Sequence, residues 1–153
     1  PVAAVITRRE IAERFAADTV FFSTFGGNQV SVAAAHAVLD VLRDERVLPR
    51  VVEAGDALRS AVREIAADHE CIGDVRGMGL ANAIEIVADR ETKEPDAAAT
   101  EAIKNGLRDQ GVLVGTTGTS GSMLKVRPTL AFTAREVPLF ATALRATLEA
   151  LRS

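Results

Sequence analysis

Cysteine is nearly absent from this chain. The single one, Cys71, rules out an internal disulfide framework and points to a reducing compartment, the cytoplasm. The two histidines, His36 and His69, stand far apart, and no Cys/His spacing of a metal site occurs. Trp and Tyr are missing and Phe numbers only six, which removes the stacking platforms that single-stranded nucleic acid requires. Excess charge is missing too: the net charge is −3, with both signs interspersed, so no basic face is presented to a nucleic acid. No apolar run approaches the length of a membrane span, and no signal-peptide pattern precedes such a run within the sequence. Even the initiator Met is lacking. Pro1-Val2-Ala3-Ala4-Val5-Ile6 reads as a strand already under way, so the chain is expected to be cut from a longer polypeptide.

What is present is globular in composition. Hydrophobic residues make up 48% and charged residues 25% of 153 positions, enough for one ordinary domain with a core. The most informative stretch is Ser23-Thr24-Phe25-Gly26-Gly27-Asn28, which runs into the apolar helical pattern of residues 30 to 42. The paired glycines permit a tight turn with positive φ, and Asn28 is suited to cap the helix that follows. A helix N-terminus with two hydroxyls just before it is chemically suited to phosphate or carboxylate. A plain capped turn and an anion seat both remain open on these residues alone.

Along the chain, residues 2 to 6 form a strand candidate, and Thr7-Arg8-Arg9-Glu10 has the capping-box form that opens a short helix to about Phe15. The helix after Asn28 carries Val30, Ala34, Ala37, Val38 and Val41 on one stripe, with His36 as a partly buried packing residue. A longer scaffold helix spans about residues 48 to 67, with Gly55 lying on its apolar face. From Ile72 the period changes, and Ile72-Gly73-Asp74-Val75-Arg76-Gly77-Met78-Gly79 followed by residues 80 to 87 predicts two short strands or a bulged pair. Gly77-x-Gly79 lacks the third glycine and the βαβ setting of a dinucleotide site. Residues 89 to 96 read as a polar loop, 97 to 110 as a helix closed by Gly111, and 112 to 114 as a strand. Residues 115 to 121, rich in Gly, Thr and Ser, predict a hairpin-type loop without the P-loop pattern. In Met123-Leu124-Lys125-Val126-Arg127, alternation places Lys125 and Arg127 on one strand face, either as a solvated surface or as a clamp for an anion. Thr133-Ala134-Arg135-Glu136 is a second capping box, opening a last helix that tolerates Pro138 near its start. After the first strand and helices the order is β-β-α-β-β-α. It predicts an α/β chain whose second part is a small α+β domain, its sheet covered by helices on one face. No Ser/His/Asp or Cys/His constellation appears.

Taken in order, four segments resemble the C-terminal part of the class III pyridoxal-phosphate (PLP) aminotransferases. These are Pro1-Val2-Ala3-Ala4-Val5, Ser23-Thr24-Phe25-Gly26-Gly27-Asn28, Val75-Arg76-Gly77-Met78-Gly79-Leu80, and Leu124-Lys125-Val126-Arg127-Pro128-Thr129-Leu130. The resemblance is closest to the branch of alanine–glyoxylate aminotransferase-like enzymes and ethanolamine-phosphate phospho-lyases. It implies the C-terminal part of the fold type I PLP-dependent transferase fold. Residues 1–46 would end the PLP-binding large domain, and residues 47–153 would form the small C-terminal domain. By the same resemblance Ser23 and Thr24 bind the phosphate of pyridoxal 5'-phosphate belonging to the other subunit of a homodimer with shared active sites. Lys125 and Arg127 then meet the substrate, a small amine or amino acid exchanging its amino group with a 2-oxo acid. Gln29 stands where the family has Pro, and Lys125 where many members have an Arg that forks onto a carboxylate, which favours a phosphorylated amine. The Schiff-base lysine is expected upstream of Pro1, so no catalytic residue lies in this chain, and alone it is expected to be inert. The rivals are a phospho-lyase acting on a phosphorylated amino alcohol and, in another class, a non-catalytic dimerisation or binding module.

Overall fold

The computed structural model describes residues 2–152. They divide into two compact units, Pro1–Arg46 and Val47–Ser153. The first unit consists of α1 (Arg9–Asp18) and α2 (Gln29–Asp44) with the turns that flank them. Three expectations fail here. Residues 2 to 6 are not a strand. A strand needs a neighbour for its N–H and C=O groups, and no described strand pairs with this segment. The capping box at Thr7 does not form either. Arg8 is the N-cap, with no side-chain cap bond, and its guanidinium draws the Glu10 carboxylate to 3.2 Å. Neither helix buries a residue, so His36 is exposed rather than packed.

The second unit opens with α3 (Val47–Asp68). There follow β1 (Ile72–Met78), β2 (Ala81–Asp89), the two-residue β3 (Glu94–Pro95), α4 (Ala97–Asp109), β4 (Gly115–Thr117), β5 (Met123–Val126) and α5 (Val137–Ala150). The strands form an antiparallel sheet in the order β1-β2-β5-β4, with β3 folded back on the end of β2. Register decides the two faces. Val75, Ile84, Leu124 and Thr116 lie in one cross-strand row. Val75, Ile84 and Leu124 join Leu58, Val62 and Ile65 of α3, Ile103 and Leu107 of α4, and Phe140, Leu144 and Leu148 of α5 in one core. All three helices therefore cover the same face of the sheet. The opposite row, Arg76, Ala83, Lys125 and Gly115, is turned away from that core.

Local chemistry accounts for the element ends. Asp96 caps α4 by accepting from the Ala99 N–H at 2.8 Å. At its other end the N–H of Gly111 (φ 80) reaches the Arg108 carbonyl at 2.9 Å, and that of Val112 reaches the Leu107 carbonyl at 2.8 Å. This double closure uses up the Val112 N–H. The strand expected at residues 112 to 114 is displaced in consequence to Gly115–Thr117, inside the segment read as loop. Gly73 is the bulge between the paired residues Ile72 and Asp74, which keeps both Ile72 and Val75 facing the core. Two residues of the expected polar loop, Glu94 and Pro95, pair with β2. Before α5, the Thr133 hydroxyl and N–H both donate to Glu136, at 2.8 and 2.7 Å, and hold its carboxyl below the ordinary range.

Candidate functional site

The loop before α2 is built from its own residues. The Gly26 N–H donates to Ser23 Oγ at 2.9 Å, closing a turn that a Cβ on residue 26 would obstruct, since it would stand 2.6 Å from the same oxygen. Gly27 adopts φ 74, the left-handed region that glycine enters at no steric cost. Asn28 then works in both directions. Its Nδ2 donates to the Phe25 carbonyl at 2.9 Å, and its Oδ1 accepts from the Ser31 N–H at 2.9 Å as the cap of α2. The Val32 N–H is taken by the Asn28 carbonyl. The N–H groups of Gln29 and Val30 are left without an intrahelical acceptor, as in any first turn. Because Ser23 Oγ accepts from Gly26, its own proton is free to be given outward. The Thr24 hydroxyl has no partner among the described residues. Donors at a positive helix end, with no carboxylate in the loop, fit a phosphate group.

On the uncovered face of the sheet, charge is distributed unevenly. Arg76 donates to Asp74 at 2.7 Å and to Glu85 at 3.1 Å, and its other nitrogen lies 2.8 Å from Met123 Sδ. Lys125, two strands away in the same row, has no acidic partner among the described residues. The other two lysines are engaged: Lys93 donates to the Gly73 carbonyl at 2.7 Å, and Lys104 pairs with Glu101. Among the described residues of that row, Lys125 is thus the cation without an acidic partner. Arg127 lies just beyond β5 and lines a different feature, an open pocket of about 300 Å³ between residues 111 to 114 and the start of α5, beside Glu136 and Phe140. Lys125 is not among the residues lining that pocket.

The Val75-Arg76-Gly77-Met78-Gly79-Leu80 segment is structural. Gly79 turns β1 into β2 with φ 52, and its carbonyl lies so close to α3 that a Cβ on Gly55 would stand 2.0 Å away. Arg59, 8% exposed, donates to that carbonyl at 3.0 Å and to Asn82 Oδ1 at 2.6 Å, and it also pairs with Asp56. This buried knot has no anticipating motif beyond an isolated glycine in a helical pattern at residue 55.

Neither Cys71 nor His69 is poised for chemistry. Burial pushes the half-buried Cys71 thiol up, away from the reactive thiolate. His69 is buried at the end of α3, and burial, followed by the nearby Arg152, lowers its pKa; Asp68 opposes them, and Arg145 and Glu149 add smaller effects of opposite sign. A lowered pKa means that the unfolded chain takes the proton first, so stability falls as pH drops through 6.5 towards the folded-state value. Denaturant midpoints measured between pH 7.5 and 5.5 are expected to decline in the native chain and to flatten in His69→Gln, and equal slopes would count against this origin. Among the described residues, no group of three or more His, Cys, Asp or Glu side chains is placed to hold a metal ion.

With this geometry in view, comparison with known proteins identifies the family. A sequence profile described as Aminotransferase class-III matches residues 1–148. The chain belongs to the class III aminotransferases. Ethanolamine-phosphate phospho-lyase homolog 1 of Caenorhabditis elegans is 40% identical over 145 residues, which are 94% of this chain and 31% of that protein. Alanine–glyoxylate aminotransferase 2 homolog 2, mitochondrial, of Arabidopsis thaliana is 39% identical over 133 residues, 87% of this chain and 28% of that protein. Among solved structures, a phospholyase from Arthrobacter in complex with phosphoethanolamine superposes with a TM-score of 0.84 at 31% identity, covering 94% of this chain and 34% of that one. The chain therefore spans about a third of the length of the relatives it matches. Its fold is the C-terminal part of the fold type I architecture of class III aminotransferases, and it falls in the alanine–glyoxylate aminotransferase and phospho-lyase branch.

Proposed function

We propose that this chain belongs to a PLP-dependent enzyme that moves an amino group from an amine or amino acid to a 2-oxo acid. Residues 1–46 would complete the cofactor-binding domain, and residues 47–153 would form the small domain. The observation that carries the reading is the Ser23–Asn28 loop, which offers two hydroxyls and a helix N-terminus to a phosphate in a chain of this family. When bound, PLP supplies an electron sink for the substrate's α-carbon. The role of Ser23 and Thr24 is to donate to the cofactor phosphate, in a homodimer whose subunits exchange this loop. Lys125 attracts the anionic group of the substrate, and Arg127 adds positive charge near the end of β5. By the family resemblance the lysine that anchors the cofactor is supplied from outside this chain, while Lys93 and Lys104 hold contacts of their own.

A second reading is favoured by one residue. Lys125 offers a compact point charge where many family members carry an Arg fork, which suits phosphate better than the bidentate grip of a carboxylate. On that reading the enzyme eliminates phosphate from a phosphorylated amino alcohol. The intact enzyme supplied with O-phosphoethanolamine, or with alanine and a 2-oxo acid, separates the two. Amino transfer without phosphate release is the expected result. Phosphate release without transfer establishes the lyase, and neither activity with these or any other amino donor leaves a non-catalytic module. The chain alone is expected to turn over neither substrate.

A further inference from the structure

Gly115 and Lys125 are direct cross-strand partners on the uncovered face of the sheet. A Cβ built on Gly115 would lie 3.1 Å from Lys125 Cε and 3.6 Å from Nζ, but 4.0 Å from Lys125 Cβ. The far end of the lysine is thus nearer to the glycine than its base is. The side chain lies across residue 115 instead of standing up from the sheet. Gly115 is not among the glycines with positive φ, so no turn requires a glycine there. A glycine inside a strand weakens it, most simply where another group must approach closely. Here that group is the lysine stem. On the other side of Lys125 the row continues with Ala83 and then Arg76, whose guanidinium is held by Asp74 and Glu85.

Resting on the reading of Lys125 as the substrate's anion contact, we propose that Gly115 is a positioning residue that sets where the Lys125 ammonium lies. A Cβ at residue 115 meets the end of a flexible lysine first, and that end swings aside at little cost in stability. The charge moves with it. Charge-assisted hydrogen bonds operate over 2.7–2.9 Å, so a displacement of several tenths of an ångström weakens one substantially.

The test uses the intact enzyme with whichever of O-phosphoethanolamine or alanine it turns over, and the variants Gly115→Ala, Gly115→Val, Lys125→Met and Gly115→Val/Lys125→Met. The Gly115 variants are expected to raise KM roughly three- to tenfold, with kcat little changed and the thermal midpoint within about 2 °C. Lys125→Met is expected to raise KM at least as much. In that background Gly115→Val should add nothing, because the group it displaces is gone. If Lys125→Met raises KM while both Gly115 variants leave it unchanged, the positioning role falls and the Lys125 reading stands. An undiminished Gly115→Val effect in the Lys125→Met background also overturns the positioning role. An unchanged KM in Lys125→Met overturns the reading on which it rests. Should Gly115→Val fail to fold, Gly115→Ala carries the same comparison.

Discussion

Gly55→Ala is expected to destabilise the second unit by about 3 kcal/mol or more, against the ordinary gain of roughly 1 kcal/mol for replacing glycine by alanine within a helix. The reversal follows from one distance. The new methyl group would stand 2.0 Å from the Gly79 carbonyl oxygen, and the neighbour is backbone, with no rotamer to change. Helix α3 and the β1–β2 turn must separate, and the separation strains the bond from Arg59 to the same carbonyl. A buried guanidinium that loses an acceptor adds to the penalty. Val51 also packs against Gly79, so the helix cannot simply slide along the turn. Urea unfolding of the variant beside the parent measures the effect. An unchanged or raised midpoint would refute so close an approach.

Thr24→Val in the intact enzyme is expected to weaken PLP binding about ten- to a hundredfold, the value of one hydrogen bond to a charged group. Valine keeps the shape of threonine and removes its hydroxyl. Ser23→Ala is expected to do at least as much, since it also takes the acceptor away from the Gly26 N–H that closes the loop. Titration of the apoenzyme with PLP and with pyridoxal, which lacks the phosphate, isolates the cause. Affinity for pyridoxal should be the same in parent and Thr24→Val. An equal loss for both ligands would place the defect elsewhere in the loop, and no loss for PLP would remove Thr24 from the phosphate contact.

Legibility in the sequence tracked how local the causes are. The helices that became α2 to α5 were readable because their stripes and caps are set by neighbours three or four residues apart, as with Asn28 and Asp96. The β1–β2 pair was readable from its glycines and change of period. The strand expected at 112 to 114 failed because the closure of α4 takes the Val112 N–H, a competition that periodicity does not register. Residues 2 to 6 failed because β-propensity does not supply a neighbouring strand. The reading of His36 as a partly buried packing residue likewise failed, because no described residue covers it. In the candidate site, the Ser23–Asn28 loop could be read from residue types alone. The lysine stem lying over Gly115 could not, because the partnership depends on a hairpin register fixed by five loop residues, 118 to 122.

The loop before α2 has a property that concerns entropy more than contact. Its three side-chain bonds, Ser23 with Gly26, Asn28 with Phe25 and Asn28 with Ser31, each span three residues, and none reaches outside the stretch from 23 to 31. The turn therefore carries its own template. An incoming anion need not order the backbone around itself, so less of its intrinsic affinity is spent on freezing the loop. Substitutions at Gly26, Gly27 or Asn28 should accordingly act by making the free loop more disordered, even though none of these side chains need touch the anion at all.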